Sequence, residues 1–154
     1  MLERTYEGQL CSVARTLEWV GERWSLLIVR DAFLGLSRFD ELQRSLGVAP
    51  NILAARLDRL TEAGIMEKRR YSDRPERFDY TLTTKGRDLY PVIAALRQWG
   101  DRYVSPVPPR LVTHRADGGR VRVRVMCEEC ESELDRSDIE ALRNPALEQA
   151  GTAS

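Results

Sequence analysis

Apolar residues recur along this chain at helical spacing in separate runs, most of them closed by glycine. Residues 11–20 place Val13, Leu17 and Val20 on one side, which predicts a first helix ending at Gly21. Residues 23–34, RWSLLIVRDAFL, are almost continuously apolar and predict a buried central helix ended by Gly35. Ser37 is expected to N-cap a third helix, with Asp40 at its third position completing a capping-box-like pair. Phe39, Leu42 and Leu46 form the inner face of that helix. Gly47, Val48 and Ala49 then turn tightly into a fourth. Pro50 suits its first turn, where the missing N–H would have had no helical partner. Leu53, Leu57 and Leu60 share one face, and Gly64 supplies the stop. Thr83 or Thr84 is expected to cap a last helix running to about residue 104. Leu89, Ile93, Leu96 and Tyr103 line one side of it, Trp99 lies close by, and Pro91 should kink it.

Two stretches carry strand signals instead. Residues 65–71 and 77–82 predict a β-hairpin joined by Ser72, Asp73, Arg74 and Pro75. Beyond a stiff, proline-rich stretch at 105–109, residues 110–114 and 120–126 predict a second hairpin around Ala116, Asp117, Gly118 and Gly119. There Val121, Val123 and Val125 alternate with Arg120, Arg122 and Arg124, so one face should be covered and the other basic and wet. An acidic, helix-like piece follows near residues 137–143.

The expected fold is mainly α with a small β wing (α+β): a winged helix-turn-helix plus a C-terminal β-hairpin appendage. The expected boundaries are 1–104 for the DNA-binding and dimerisation domain and 105–110 for the linker. The ribbon-like appendage takes 111–143, and 144–154 form a disordered tail.

Composition narrows the function classes. A length of 154 residues, 42% of them hydrophobic and 31% charged, suits one globular domain with an appendage. No apolar run approaches membrane-spanning length, and the first ten residues are polar and mixed in charge, unlike a leader. Three cysteines, an odd number, argue against a secreted disulfide framework, so a cytoplasmic protein with no membrane association is expected. With one histidine, no phosphate-binding loop and no paired catalytic carboxylates in a recognisable context, no enzyme is expected.

The formal net charge is +0, so only local charge can point to a partner. Residues 68–77 hold five basic side chains, Lys68, Arg69, Arg70, Arg74 and Arg77, against two acids, Asp73 and Glu76, a local net charge of +3. Asn51, Ala55 and Arg59 are expected opposite the leucine face of the fourth helix, with Arg56 on its flank. Two short helices joined by a glycine-containing turn and followed by a basic hairpin match a winged helix-turn-helix for double-stranded DNA. The expected contacts are Pro50, Asn51, Ala55, Arg56 and Arg59 at the major groove. Ser37 and Arg38 should reach phosphates, and Arg69, Arg70, Arg74 and Arg77 the flanking minor groove. A helical bundle with solvated arginines is the plainer alternative, and the basic hairpin counts against it.

Several stretches carry a family likeness: CSVARTLEWVGERW (11–24), SRFDEL (37–42), LAARLDRLTEAGI (53–65) and YTLTTKG (80–86). In this order they resemble the HxlR-type branch of winged-helix regulators, relatives of the MarR group. The resemblance implies a bacterial, homodimeric, sequence-specific transcription factor without catalytic activity, here a repressor, paired through its terminal helices. It leaves room for a small-molecule effector. It also places Cys11 where some family members carry a thiol that senses electrophiles or oxidants. A helix N-terminus can activate a thiol, while a cysteine packed at a dimer seam is the alternative.

Cys127 and Cys130 form a Cys-x-x-Cys pair after the second hairpin, as in a zinc knuckle. His114 lies in the opposing strand, but Asp117 stands where a cysteine would complete the set. A zinc site from His114, Asp117, Cys127 and Cys130 is chemically allowed. The preferred reading is a degenerate ribbon held by packing, with no cofactor required. Two other functions remain alternatives: a thiol–disulfide enzyme using Cys127 and Cys130, and a winged helix used only for protein–protein contact.

Overall fold

In the computed structural model, which describes residues 11–105, 107–142 and 144–146, the chain divides into two units after Pro108. The first unit runs α1 (Ser12–Val20), α2 (Ser25–Phe33), α3 (Phe39–Leu46), α4 (Pro50–Glu62), β1 (Met66–Asp73), β2 (Glu76–Leu82), α5 (Thr84–Arg87) and α6 (Tyr90–Tyr103). The two strands pair antiparallel, from Met66 opposite Leu82 to Asp73 opposite Glu76, with a bulge at Tyr71. The strands are longer than expected, and only Arg74 and Pro75 remain in the turn, joined by a cis peptide bond.

The core forms where the helical periods coincide. Leu53, Leu57 and Leu60 of α4 are fully buried against Ile28 and Val29 of α2, Leu42 of α3 and Met66 of β1. Burying each such side chain is worth about 1.5–3 kcal/mol, which fixes the roll of α4 about its axis. Gly47 and Gly64 end α3 and α4 in the left-handed region, at φ 63° and 67°, where a side chain would be strained. Asp31 is buried among these apolar residues, and its Oδ1 accepts from Nε of Arg30 over 2.9 Å.

Four local expectations are corrected. On α1 the buried positions are Ala14 and Val20, whereas Val13 is 67% and Leu17 39% exposed, so the larger apolar residues face away from the core. The N-cap of α3 is Arg38, and Glu41 rather than Asp40 closes the box, its Oε2 accepting from the backbone N–H of Ser37 and of Arg38. Thr83 caps only the short α5, accepting from the N–H of Gly86, and the chain restarts at Tyr90. Pro91 therefore lies in the first turn of α6, where its absent N–H costs nothing, and makes no kink.

The fourth correction concerns the second unit. The expected second hairpin is reduced to one isolated bridge, Thr113 with Arg120; a further bridge, Met126 with Glu133, closes beyond it, and among the described residues of this unit no strand is formed. Of the helix expected near 137–143, a single 3-10 turn at Arg136–Asp138 is present; residue 143 lies outside the described residues, as does most of the expected tail, 147–154.

Candidate nucleic-acid interface

The helix-turn-helix consists of α3, the Gly47–Ala49 turn and α4, with the β1–β2 wing directly after it. Ser37 and Arg38 lie beside the wing: Arg38 bridges Asp79 of β2, and the N–H of Tyr80 donates to the carbonyl of Ser37 over 2.7 Å. The Ser37 hydroxyl donates to Asp79 over 3.3 Å. The Arg38 guanidinium lies 3.7 Å from the same carboxylate and over the Tyr71 ring, 4.9 Å from its centroid. The start of α3 and the wing are thus locked together, and a cleft of about 430 Å³ opens between them, lined by Phe39, Tyr71, Arg77 and Phe78 among others.

On α4 the leucine face turns Asn51, Ile52, Ala55, Asp58 and Glu62 outward. Pro50 and Asn51 occupy the first turn, where unpaired backbone N–H groups and the helix dipole favour an anion. Asp58 and Glu62 make the far half of the same stripe acidic, which confines favourable contact with phosphates to the N-terminal half. Ile52 and Asp58 were not singled out in the sequence, although their spacing from Leu53 and Leu57 is what places them outside.

Arg59 departs from its expected outward position, while Arg56 lies on the flank as expected and is already engaged there. Arg56 Nη2 donates to Glu22 Oε2 over 2.8 Å, and Arg59 Nη2 donates to the Glu18 carbonyl while its guanidinium lies over Trp19. Both arginines therefore brace α4 against α1 and the α1–α2 turn, on the flank of the helix rather than on its outer stripe. At about 100° per residue, Asn51, Ala55, Asp58 and Glu62 form that stripe, and Arg59 is displaced from it toward α1.

The wing cations are not equivalent either. Arg70 is held by Asp73 at 3.1 Å and by Glu76, and the Lys68 ammonium lies 4.2 Å from the Phe78 ring centroid. Among the described residues, Arg69, Arg74 and Arg77 are exposed and carry no ion pair.

Cys11 is exposed at the N-cap of α1. In the second unit, His114 Nδ1 lies 3.1 Å from Asp117 Oδ1. The Gly119 N–H, 2.8 Å from that oxygen, and then His114 hold the Asp117 carboxyl below its ordinary value. Cys130 Sγ lies 3.3 Å from Ser132 Oγ. Hydrogen bonds from Ser132, side chain first and then backbone, and from Cys127 hold the Cys130 thiol low. Among the described residues, no group of three or more His, Cys, Asp or Glu side chains is gathered around a common point.

Residues 19–108 match the HxlR-like helix-turn-helix family. The chain belongs to that family. A Mycobacterium tuberculosis relative named as an uncharacterized HTH-type transcriptional regulator is 42% identical over 140 residues, covering 90% of this chain and 87% of its own length. The Bacillus subtilis regulator YdeP is 30% identical over 73% of this chain and 87% of its own. Among solved structures, PA1607, a candidate transcription factor, superposes with a TM-score of 0.78 at 42% identity, covering 90% of this chain and 98% of that one. The reduced form of the redox regulator HypR superposes with a TM-score of 0.56 at 29% identity, over 61% of this chain and 96% of its own. The family membership, the α+β winged-helix architecture and the HTH-type regulator class are thereby established. No helix among the described residues is long and apolar enough to cross a membrane.

Proposed function

We propose that this HxlR-family chain is a cytoplasmic, homodimeric repressor that acts by binding alone. It occupies double-stranded DNA with the N-terminal half of α4 in the major groove and the wing against the flanking minor groove. The observation that carries the reading is the pairing of a small, neutral outer surface at Asn51, Ile52 and Ala55 with a wing whose Arg69, Arg74 and Arg77 have no ion pair. Asn51 is the base-reading candidate, since a carboxamide can contact adenine bidentately. The free wing arginines suit phosphates and the minor groove, and Ser37 and Arg38 suit the phosphates next to the start of α3.

The dimer surface in this reading is the apolar side of α1 and α6. Leu96 is 52%, Trp99 60% and Tyr103 62% exposed, and Val13 and Leu17 of α1 are exposed as well, which suits surfaces covered by a partner subunit. A two-fold dimer would present two copies of α4 to a palindromic site. The exposed Cys11 thiol at the start of α1 supports oxidant or electrophile control, and the likeness to HypR, described as a redox regulator, points the same way.

Retention of genomic DNA fragments on a filter, followed by their sequencing, tests the reading. Enrichment of a small set of fragments sharing a palindromic element is the expected result. No retention at low salt would instead leave a winged helix used for protein–protein contact.

A further inference from the structure

The second unit contains the same turn twice. In the first, the N–H of His114 donates to the carbonyl of Gly119 over 2.8 Å, and the N–H of Gly118 donates back to the carbonyl of His114 over 2.9 Å. In the second, the N–H of Cys127 donates to Ser132 over 3.0 Å, and the N–H of Glu131 donates back to Cys127 over 3.0 Å. Each turn is flanked by one antiparallel bridge, Thr113 with Arg120 and Met126 with Glu133. Each also has one left-handed residue at the matching position, Gly118 at φ 74° and Glu131 at φ 57°.

Glu131 is the sole non-glycine residue among those described with a positive φ. A side chain there is strained, so the turn geometry is being held against a local cost. The superposed positions are His114 with Cys127 and Asp117 with Cys130. The turn therefore brings two metal-ligating residue types to the same two places in each copy, positions one and four. A peptide turn that points two ligands along a common direction, used twice, is the construction of a four-ligand zinc ribbon.

A second observation asks for such an ion. No described residue of the second unit is buried; Val112, Val121, Val123, Cys127 and Leu134 are the most covered, and each is only half-buried. The unit spans Pro109–Ser154, and a unit this small that lacks a core usually needs a disulfide, a metal or a partner to stay folded. The three cysteines are free, which leaves the metal or the partner.

We propose that the second unit is a zinc-binding ribbon whose ligands are His114, Asp117, Cys127 and Cys130. The two pairs stand apart, each hydrogen-bonded within its own turn, so closing on one ion requires the turns to move together. Metal binding is then coupled to ordering of the unit. As each sulfur–zinc bond forms, the thiol proton leaves to solvent, while Asp117 binds as the carboxylate and His114 as the neutral imidazole. Asp117 makes the set harder than one with a third thiolate, so the affinity is moderate and improvable.

The test uses the full-length reduced protein, stripped of metal and titrated with zinc against a chromophoric chelator. The wild type should take up about one zinc per chain. Cys127→Ser and Cys130→Ser should each lose at least about tenfold in affinity, while Asp117→Cys should gain a similar factor. Cys11→Ser, in the first unit, should bind as the wild type does. The Asp117→Cys gain cannot come from a failure to fold, which keeps the test decisive if a serine variant unfolds the unit. No uptake by the wild type, with the Gly118 and Glu131 amides still protected from hydrogen exchange, would overturn the proposal. It would assign the stability of the unit to packing or a partner. Undiminished uptake in both serine variants would overturn it equally.

Discussion

Arg56 Nη2 lies 2.8 Å from Glu22 Oε2, so an arginine on α4, the helix proposed to read DNA, is already engaged by the α1–α2 turn. The Glu22 side chain is 48% and that of Arg56 23% exposed, and a partly exposed pair of this kind contributes about 0.2–1 kcal/mol. Arg56→Ala and Glu22→Ala should therefore weaken DNA binding to a similar, small extent, and the double variant no more than either alone. A double-mutant cycle reads this directly. If Arg56 touched DNA itself, Glu22→Ala would leave affinity unchanged or raise it.

The wing makes an unequal prediction for chemically identical residues. Arg74 has no ion pair, whereas Arg70 is held by Asp73 and Glu76. Arg74→Ala should weaken binding to all sequences and reduce the salt slope by about one unit. Arg70→Ala should change the slope by less, because Arg70 is already paired with Asp73 and Glu76 and is not free to neutralise a phosphate. Equal slopes for both variants would contradict this ordering.

Among the described glycines, Gly86 is the one where an added methyl would meet the closest neighbour. A Cβ there would sit 2.1 Å from the carbonyl oxygen of Ile65, which is backbone and cannot step aside. The same Ile65 carbonyl accepts from the N–H of Thr83, so displacing it also disturbs the link between wing and α5. Gly86→Ala should cost about 1–3 kcal/mol, measured by denaturant unfolding. By contrast Gly100→Ala, where a Cβ meets nothing within 4 Å, should be neutral or stabilising.

The two thiol settings separate by pH. Because hydrogen bonds from Ser132 lower the Cys130 pKa, its thiolate persists to lower pH than that of an ordinary thiol, and its alkylation should fade only as pH falls through that lowered value. Cys130 should thus outpace a free-cysteine peptide at neutral pH, and Ser132→Ala should slow it. Redox control through Cys11 has its own readout: oxidant should release DNA from the wild type but not from Cys11→Ser. Equal sensitivity of the two would shift the sensing role to Cys127 and Cys130.

The sequence made the buried side of the fold legible because apolar periodicity is a strong local signal. Leu53, Leu57, Leu60, Pro50, Gly47 and Gly64 sit as their spacing demands. What it obscured was direction on the polar side. Arg59 reads as outward on charge alone, yet its guanidinium reaches the Glu18 carbonyl and Trp19 ring, contacts set by the packing of α1 that no local pattern encodes. Val13 and Leu17 form an apolar stripe that points away from the core, and periodicity cannot distinguish a core face from a partner face. The alternating valines at 121–125 suggest a strand, but tight turns on both sides leave only single bridges. The repeat of the turn itself became visible only once its hydrogen bonds were in place.

The central claim is that the N-terminal half of α4 and the free wing arginines form one DNA-binding surface. Fluorescence anisotropy of a duplex carrying the selected element, titrated over a salt series, tests it most directly. Asn51→Ala should narrow the gap between that duplex and a scrambled one by about 1–3 kcal/mol while leaving the salt slope intact. Arg74→Ala with Arg77→Ala should lower the slope by about two units and weaken both duplexes alike. Unchanged slope and affinity in the double arginine variant, with preference for the element retained in Asn51→Ala, would contradict the account.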